Sequence, residues 1–557
     1  MPATGDPTRP ALRGGRRSGF GMECKADSIA RHVAPEAAAA RSAGYTRRGV
    51  IQAGAVLGGA ALLAAGGLGT TRARAATHGH RPHGSVAIVG AGLAGIAAAY
   101  QLNRVGIGVQ VFEARQRLGG RCWTARGFAD GQTAEHGGEF VDTRHVHLRQ
   151  LVRQLDLRLD DLWSARAGSF YPLWADGGLV SQRDLRSAMG RIGDAAAAEA
   201  RRLGVLRANG SVTTVPISFG TATPAAVKLD QLTMGEWLER HVDGILGTAV
   251  GEVIDEIMGS WYGSNFDRLS AVNWIDFFVI PYPGGDERWH VNGGNDRVIS
   301  RAAATLPDGT IHRQAVLRAI RRRGSRYHLS FDGHRQVVAD LVILTLPFTT
   351  LRDVDYAGAG FSAHKRAAIE QLGMGDDSKV LVQYDRRPWQ MSDWSASLES
   401  VDPDFDTWES SAAQPGSAGL ITAYAGGHTA RAWSAPDPHG PAPGALRDQV
   451  LHRINQAVPG TRQHFNGHAW ADLWPHDPWV KGSYAAFERG QYTRFWEGTG
   501  RAEGNVHFAG EATSTYSQGF LNGGVESGDR AAIEIMRKLR VRVPPSLANL
   551  PYSNQRG

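Results

Sequence analysis

Cysteine is nearly absent from this chain of 557 residues, which contains Cys24 and Cys122 as its two cysteines. Cys24 lies in a segment that reads as a removable leader, so the mature protein has one thiol and cannot form an internal disulfide. The C-x-x-C and H-E-x-x-H spacings typical of metal sites are missing, as are the G-x-S-x-G elbow of hydrolases and any internal repeat. These absences exclude a small disulfide-stapled fold and predict no metal site.

Outside the leader, the chain lacks an excess of charge of either sign. The formal charge is +7, but residues 1–75 contain 11 Lys and Arg against 4 Asp and Glu. The remaining residues contain fifty basic and fifty acidic side chains. Because a nucleic-acid-binding domain needs a basic surface, we expect no nucleic-acid partner.

Long apolar runs are also scarce, and the clearest one lies from Val50 to Leu68. Arg47 and Arg48 precede it and "ARA" at 73–75 follows it, which resembles a twin-arginine signal with a small-x-small cleavage site. We therefore predict export of a bacterial protein. Other interpretations of this segment stay open: an ordinary secretory signal, a retained anchor, an uncleaved leader, or translation that starts at residue 22 instead of residue 1. The many glycines disfavour a stable membrane span.

The stretch "VAIVGAGLAGIAAAYQL" from Val86 has the G-x-G-x-x-G spacing, formed by Gly90, Gly92 and Gly95. A short apolar strand precedes these glycines and a helix follows them. The first glycine permits a tight turn, the second allows a pyrophosphate to approach the backbone, and the third allows the helix to pack closely on the strand. The stretch predicts a dinucleotide site at a helix N-terminus.

An acidic residue stands where such a site needs one. The strand from Val109 to Phe112 ends in Glu113, 23 residues after Gly90, where a carboxylate is expected to accept the ribose hydroxyls. "RLGGR" follows at 117–121, and its last arginine supplies a cation for the pyrophosphate. Such a second glycine turn is not required by nicotinamide enzymes with a single turn.

Two further glycine-containing segments complete the pattern. "EHGGEFVD" at 135–142 contains a glycine pair, and "HFAGEATSTYSQGFLNGGVESGDRAA" begins with a strand and places a helix start near Gly519. A helix N-terminus there would stabilise negative charge on a reduced flavin ring. In this order, the segments resemble the FAD-dependent amine oxidase family, which includes monoamine, polyamine and L-amino-acid oxidases. The resemblance covers Ser85 to Leu539.

The resemblance implies that FAD is the cofactor and that a defined set of residues contacts it. Val316 corresponds to the strand residue whose backbone meets the adenine, and Trp474 and Trp479 correspond to aromatic positions near the flavin. The full set of implied FAD-binding residues is Gly90, Gly92, Leu93, Ala94, Gly95, Glu113, Ala114, Arg115, Gly119, Gly120, Arg121, Gly137, Gly138, Glu139, Phe140, Val316, Trp474, Trp479, Gly510, Glu511, Gly519, Phe520 and Leu521.

Three residues carry the chemistry that the resemblance implies. Lys379 in "LGMGDDSKVLVQY" corresponds to the lysine that holds a water at flavin N5, although a surface strand residue is the alternative. Tyr484 and Phe520 correspond to two rings that flank the substrate nitrogen. Such rings attract a cation modestly, and a desolvated slot lowers the pKa of an amine. Each ring is otherwise a plain core residue.

Two positions depart from relatives with other properties. Ser483 stands where covalent monoamine oxidases carry the cysteine bonded to the flavin, so we expect noncovalent FAD. Members that act on amino acids carry an arginine for the substrate carboxylate in the segment aligned with "HGGEFV", where this chain has Phe140 beside Glu139. A carboxylate then lacks its bidentate partner, unless Arg288 or another residue substitutes.

We predict an α/β (α+β) fold in which a Rossmann-like FAD-binding domain is interleaved with a discontinuous substrate-binding domain, because nucleotide-binding segments occur at the beginning, middle and end. Prolines and glycines from Ser434 predict a surface loop. The predicted parts are a leader at 1–75, an FAD-binding domain at 84–141, 288–350 and 500–540, a substrate-binding domain at 142–287 and 351–499, and a polar tail at 541–557.

The sequence thus predicts an exported flavin amine oxidase. It would oxidise an amine to an imine, which water hydrolyses to an aldehyde and ammonia or a smaller amine, with O2 reduced to H2O2. An L-amino-acid oxidase, a non-catalytic secreted flavoprotein and a carotenoid-type desaturase are the alternatives. We expect a small amine and O2 as partners and a homodimer as one assembly to test; the sequence identifies neither the amine nor the oligomeric state.

Overall fold

The structure is a computed structural model that describes residues 84–551, except 166, 167, 169, 281–284 and 403. The leader with its arginine pair, and residues 552–557, lie outside the described residues. Their predicted roles therefore stay predictions.

Strands and helices alternate along the described chain. The strands are β1 Val86–Val89, β2 Val109–Phe112, β3 Thr124–Ala125, β4 Ala134–Glu135, β5 Leu159–Asp161, β6 Leu173–Ala175, β7 Gly178–Leu179, β8 Trp289–Val291, β9 Ile311–His312, β10 Leu317–Arg323, β11 Arg326–Phe331, β12 Gln336–Ala339, β13 Leu341–Leu344, β14 Gly373–Met374, β15 Asp377–Tyr384, β16 Glu399–Ser400, β17 Phe405–Glu409, β18 Gly419–Gly426, β19 His439–Pro441, β20 Phe465–Leu473, β21 Ala485–Ala486 and β22 Val506–Phe508.

Long helices pack around these strands, and shorter ones connect them. The helices are α1 Leu93–Arg104, α2 Val146–Gln154, α3 Leu162–Ala165, α4 Gln182–Leu203, α5 Pro224–Asp230, α6 Met234–His241, α7 Ala249–Tyr262, α8 Val272–Phe278, α9 Arg297–Ala303, α10 Phe348–Leu351, α11 Ala363–Gln371, α12 Gly427–Ala432, α13 Gly444–Ala457, α14 Tyr492–Phe495, α15 Leu521–Lys538 and α16 Pro545–Ala548.

A five-stranded parallel sheet carries the predicted nucleotide motifs. Its order is β22-β13-β1-β2-β9, so it takes strands from the beginning, middle and end of the chain. β1 and β13 are buried along their whole length, which suits strands covered on both faces. The mixed helix and strand fold with a Rossmann-like sheet is the predicted fold class.

An eight-stranded sheet forms the second core, in the order β19-β20-β15-β18-β17-β16-β6-β7. Its central strand β15 pairs antiparallel with β18 and β20 and is buried at all eight positions. In register across the sheet, Lys379 pairs with Tyr424, and Tyr424 pairs with Asp406. Because paired residues share a face, these polar side chains form one row.

Two glycine-assisted contacts bring α1 and α15 together at the nucleotide motif. A Cβ on Gly528 would lie 2.3 Å from the carbonyl oxygen of Ala94, and one on Gly524 would lie 3.5 Å from the Cβ of Leu93. The two helices thus touch through backbone. This contact places the start of the C-terminal helix beside the glycine turn.

The predicted surface loop and the predicted tail are exposed at many positions, and each contains a short element with a buried side chain. The predicted surface loop from Ser434 contains β19, where His439 is largely buried between two aspartates. The predicted tail contains α16, whose Leu547 is fully buried against the nucleotide-binding core. Proline and glycine composition therefore predicted the exposed positions but not the few apolar or ion-pairing residues that anchor each segment.

Candidate active site

The glycine turn after β1 has the geometry that its spacing predicts. Gly90 has φ of +102° and donates its N–H to the carbonyl of Phe112 at 2.7 Å. A Cβ on Gly95 would lie 2.0 Å from the carbonyl oxygen of Gly90, so only glycine fits there. A Cβ on Gly92 would have Gly119 at 3.8 Å as its nearest neighbour. The backbone at Gly92 is thus open for a ligand.

Glu113 joins the glycine turn to the loop that follows β2. One carboxylate oxygen accepts the N–H of Ala91 at 2.8 Å and the other accepts the N–H of Arg115 at 2.9 Å. The side chain is 8% exposed and lines the large cavity of this site. In this structure it orders two backbone segments, and its predicted contact with a ribose remains a prediction.

Glu511 holds the second glycine turn against the C-terminal segment. Its carboxylate pairs with Arg121 at 2.9 Å and accepts the N–H of Gly519 at 3.1 Å. Arg121 also donates to the carbonyl of Ser483. The arginine predicted to face a pyrophosphate therefore already has a carboxylate partner, and it joins three distant segments.

A chain of buried charges runs behind the nucleotide loop. Arg115 pairs with Asp477, and His439 contacts Asp477 and Asp472 at 2.7 Å each. Asp472 also contacts His136 at 2.9 Å. Burial raises the pKa of Asp477, but hydrogen bonds from His439 and Arg115 outweigh it and lower the pKa to about 2. Burial lowers the pKa of His439, and its two aspartates raise it further than burial lowers it.

One cavity of about 380 Å³ extends from the glycine turn to the eight-stranded sheet. Every residue predicted above to bind FAD lines it except Gly95, which packs beneath the turn. Lys379, Tyr484 and Phe520 line it as well. Trp474 is 4% exposed and donates its indole N–H to the carbonyl of His136 at 2.8 Å, whereas Trp479 is 38% exposed.

The residues present fit a dinucleotide cofactor. The N-cap residues of α1 and α15 are Gly92 and Phe520, and neither makes a side-chain capping hydrogen bond. Backbone N–H groups at both helix starts are therefore available to a ligand. A Cβ on Gly120 would lie 3.5 Å from the Cα of Gly92, which brings the two glycine turns together. Phosphates at the start of α1 and a reduced flavin near the start of α15 suit these helix dipoles.

Lys379 is a buried lysine in the middle of the cavity wall. Its ammonium donates to the carboxylate of Glu139 at 2.8 Å and to the carbonyls of Gly137 at 2.7 Å and Glu135 at 3.1 Å. It also lies 5.3 Å from the ring centre of Trp408. The side chain is 3% exposed, so the alternative of a surface strand residue does not describe it.

Tyr484 and Phe520 lie close together at the N-terminal end of α15. A Cβ on Gly519 would lie 3.4 Å from the Tyr484 ring, and Phe520 follows Gly519 directly. The Tyr484 hydroxyl donates to the carbonyl of Ser260 at 2.9 Å. The Phe520 ring lies 5.2 Å from that of His145. Two aromatic residues thus line one end of the cavity.

Arg288 does not join the cavity lining. Its guanidinium makes a bidentate pair with Asp161 at 2.6 and 3.1 Å and lies 4.6 Å from the Trp289 ring. The arginine considered as a substitute partner for a substrate carboxylate is therefore engaged elsewhere.

Sequence reasoning missed part of the cavity wall. Trp408, Tyr424, Asp406 and Asp377 all line the cavity beside Lys379. Their sequence neighbourhoods carry no glycine motif, and only strand register brings them together. Asp377 alone had a usable signal, because a residue two positions before Lys379 on a strand shares its face.

A sequence model for a family described as flavin containing amine oxidoreductase matches residues 93–536. The chain belongs to this family. It is an FAD-dependent oxidoreductase that acts on amines, and its cofactor is FAD. Ser483, at the position where covalent monoamine oxidases carry a cysteine, offers a hydroxyl and not a thiol, which agrees with the expected noncovalent binding. Among the described residues no helix is long and apolar enough to cross a membrane.

Members of the amine oxidoreductase family with different named activities resemble this chain. An L-amino acid dehydrogenase of Synechocystis sp. is 23% identical over 81% of this chain and 94% of its own length. Amine oxidase A of Sus scrofa is 22% identical, with 82% and 85% covered. Cyclohexylamine oxidase from Brevibacterium oxydans IH-35A superposes with a TM-score of 0.70 at 21% identity, covering 82% of this chain and 100% of that one.

Proposed function

We propose that this family member is an exported amine oxidase for amines that lack an α-carboxylate, and that it uses O2 and releases H2O2. The net reaction converts a primary amine, O2 and water to an aldehyde, ammonia and H2O2, and a secondary amine to an aldehyde and a smaller amine. FAD, when bound, supplies the two-electron acceptor for the C–N oxidation.

The observation that carries the proposal is that each cation lining the described cavity already has a carboxylate partner. Lys379 pairs with Glu139, Arg121 with Glu511, and Arg115 with Asp477. Arg318, at the nucleotide end, is paired with an aspartate in the same way. An α-carboxylate entering this cavity would be desolvated without a free cation, which costs several kcal/mol.

The chain's residues prepare the amine for oxidation. The Tyr484 and Phe520 rings form an apolar boundary that attracts a cation modestly and excludes water. Desolvation lowers the pKa of a bound ammonium and favours the neutral amine that can be oxidised. The ammonium of Lys379 donates to three protein oxygens, which uses all three of its N–H donors, so its proposed contact with a water requires one of these bonds to be exchanged.

A peroxide and oxygen-uptake screen tests the activity. Purified holoenzyme is assayed with primary, secondary and aromatic amines and with their parent amino acids. We expect oxygen uptake and stoichiometric peroxide with amines. Uptake with amino acids alone would support the L-amino-acid oxidase alternative, which the names of two relatives, an L-amino acid dehydrogenase and an L-glutamate oxidase of Streptomyces viridosporus, make worth testing. If no substrate caused oxygen uptake or peroxide formation, the result would support a non-catalytic flavoprotein.

The export part of the proposal rests on the sequence of the leader. Arg47 and Arg48 precede a weakly apolar segment, and the mature chain has no cysteine pair to oxidise, which suits export after the cofactor-bound protein has folded. Changing both arginines to lysine should leave active enzyme inside the cell. Unchanged export of the double variant would indicate the ordinary secretory route.

A further inference from the structure

Asp377 is a buried carboxyl in the cavity wall to which the proposed reaction assigns no role. It begins β15, is 1% exposed and lines the cavity two residues before Lys379. Residues two apart on a strand share a face, so Asp377 and Lys379 face the same side of the sheet. Within the described chain, Asp377 forms no salt bridge.

Three hydroxyls surround this carboxyl. Ser483 donates to one carboxyl oxygen of Asp377. The hydroxyls of Tyr424 and Tyr484 lie 3.2 Å apart and are near enough to Asp377 to influence its pKa. Burial raises the pKa of Asp377 well above its ordinary value, and these hydroxyls only partly oppose the rise. Asp377 therefore lies beside both Ser483, where covalent relatives have a cysteine, and the tyrosine pair that contains Tyr484.

The hydroxyl protons can be assigned one by one. Tyr484 donates its proton to the carbonyl of Ser260 at 2.9 Å, so in the tyrosine pair Tyr424 is the donor. Ser483 donates to Asp377. No hydroxyl proton of this cluster is left for the second carboxyl oxygen of Asp377, which is buried and has no hydrogen-bond partner among the described residues. A proton on that oxygen would make it a donor, for which the neighbouring tyrosine oxygens are candidate acceptors.

We propose that Asp377 is a positioning residue that acts as a neutral carboxylic acid, accepting from Ser483 and donating to the tyrosine pair, and thereby holds the Tyr484 ring at the amine slot. The inference rests on the proposed amine oxidase function. A carboxylate in this place would lack the proton that the cluster needs and would add uncompensated buried charge.

The surrounding charges agree with a neutral Asp377. Asp376, its neighbour on the chain, is paired with Arg431 and with Arg268, so those cations are not available to Asp377. Asp406, on β17, adds negative charge near both tyrosines. The ammonium of Lys379 is held by Glu139. No neighbouring element supplies a free cation from the described residues.

Infrared spectroscopy of the holoenzyme tests the protonation state directly. A protonated carboxylic acid has a C=O stretching band apart from those of carboxylates and amides, and it shifts in D2O. We expect this band in the wild type, its loss in Asp377→Asn, and a shifted band in Tyr424→Phe, which removes one acceptor without touching the carboxyl. If the wild type and Asp377→Asn had the same carboxylic-acid C=O band with the same shift in D2O, the proposal would be overturned.

Kinetics of two replacements test the positioning role. Asp377→Ala leaves the cluster without its link, and we expect KM for an amine to rise by about tenfold or more, while kcat changes less and the FAD-to-protein ratio is kept. Asp377→Asn can still donate and accept hydrogen bonds, so its rise in KM should be several-fold smaller than that of Asp377→Ala. Asp385→Asn, at an exposed residue directly after the same strand, is the matched control.

The outcomes separate this inference from the proposed function. An equal rise in KM in Asp377→Asn and Asp377→Ala would mean that a charged carboxylate is needed and would contradict the neutral acid. An unchanged KM in Asp377→Ala would contradict the positioning role. If the alanine variant does not fold, Ser483→Ala and Tyr424→Phe each remove one proposed hydrogen-bond partner of Asp377. An unchanged KM in both variants would contradict the positioning role. If the wild type oxidises only amino acids, the proposed function fails, while the infrared result still decides the state of Asp377.

Discussion

At the scale of single residues, the site depends on polar side chains that are buried and matched. Lys379 illustrates this, because its ammonium is surrounded by one carboxylate and two carbonyl oxygens at 2.7 to 3.1 Å. A buried lysine held so tightly has one orientation. Its proposed contact with a water requires one of the three N–H donors to leave its protein acceptor, since an ammonium has no fourth donor.

Lys379→Met should lower kcat by at least roughly tenfold while the FAD-to-protein ratio stays near that of the wild type. The variant also leaves Glu139 buried without its partner, so we expect the free energy of unfolding to fall by about 3 kcal/mol. Steady-state kinetics, flavin absorbance and thermal melts measure the three effects.

Lys481→Met is the control for the lysine replacement. Lys481 is exposed and pairs with Asp353 at 2.6 Å, and surface pairs contribute about 1 kcal/mol or less. Full turnover in Lys379→Met would return Lys379 to a structural role.

The sequence predicted the residues that lie in glycine motifs and missed those that meet across strands. Gly90, Gly95 and Glu113 have positions dictated by local turn geometry and spacing. Tyr424 and Asp406 reach the site only through the pairing of β15, β18 and β17. Strand register depends on the packing of the whole sheet, so no local pattern announces these residues.

At the scale of elements, close helix packing at the nucleotide end is the most demanding feature. Gly528→Ala would place a methyl group 2.3 Å from the carbonyl oxygen of Ala94. We expect α15 to move away from α1, with a loss of about 1 to 3 kcal/mol of stability and a lower FAD content, because both helix starts contribute to the cofactor site. Thermal melts and the flavin-to-protein ratio measure these changes.

Gly190→Ala is the matched control for Gly528→Ala. Gly190 lies inside α4 with nothing within 4 Å of an added Cβ, so alanine should stabilise the helix by about 0.5 to 1 kcal/mol. Equal FAD content in both variants would argue against a role of the α1–α15 contact in cofactor binding.

The buried charges around His439 make stability depend on pH. The pKa of His439 is raised in the folded protein, so its contribution is present below its ordinary value of 6.5 and is lost as pH rises through the raised value. The pKa of Asp477 is lowered to about 2 from 3.8, so its contribution is lost as pH falls from 3.8 towards that value. The network therefore stabilises the fold most between these limits.

His439→Gln should lower Tm most in mildly acid solution, near pH 6, and less at a pH above the raised pKa of the wild-type histidine, where that histidine has lost its proton. Differential scanning calorimetry at both pH values measures the gap between the two proteins. His468→Gln, an exposed histidine on β20, should show no such gap. A gap for His439→Gln that is constant with pH would mean that the histidine acts without its charge.

At the scale of the whole molecule, the interleaving of segments puts chemistry at the boundary of two sheets. The five-stranded sheet holds the nucleotide turn, and the eight-stranded sheet supplies Lys379 and its neighbours. The order of glycine segments was enough to predict the fold class. It was not enough to locate the ordered C-terminal segment, because Leu547 and its helix pack by burial of a few apolar side chains.

The central claim is that this cavity accepts an amine and that its described lining has no free cation for an α-carboxylate. The most direct measurement is kcat/KM for tyramine and for tyrosine with the same holoenzyme preparation, read as peroxide formed. An unpaired buried carboxylate costs several kcal/mol, so we predict a preference for tyramine of about a hundredfold or more. An equal or higher kcat/KM for tyrosine would contradict the account and indicate an amino-acid oxidase.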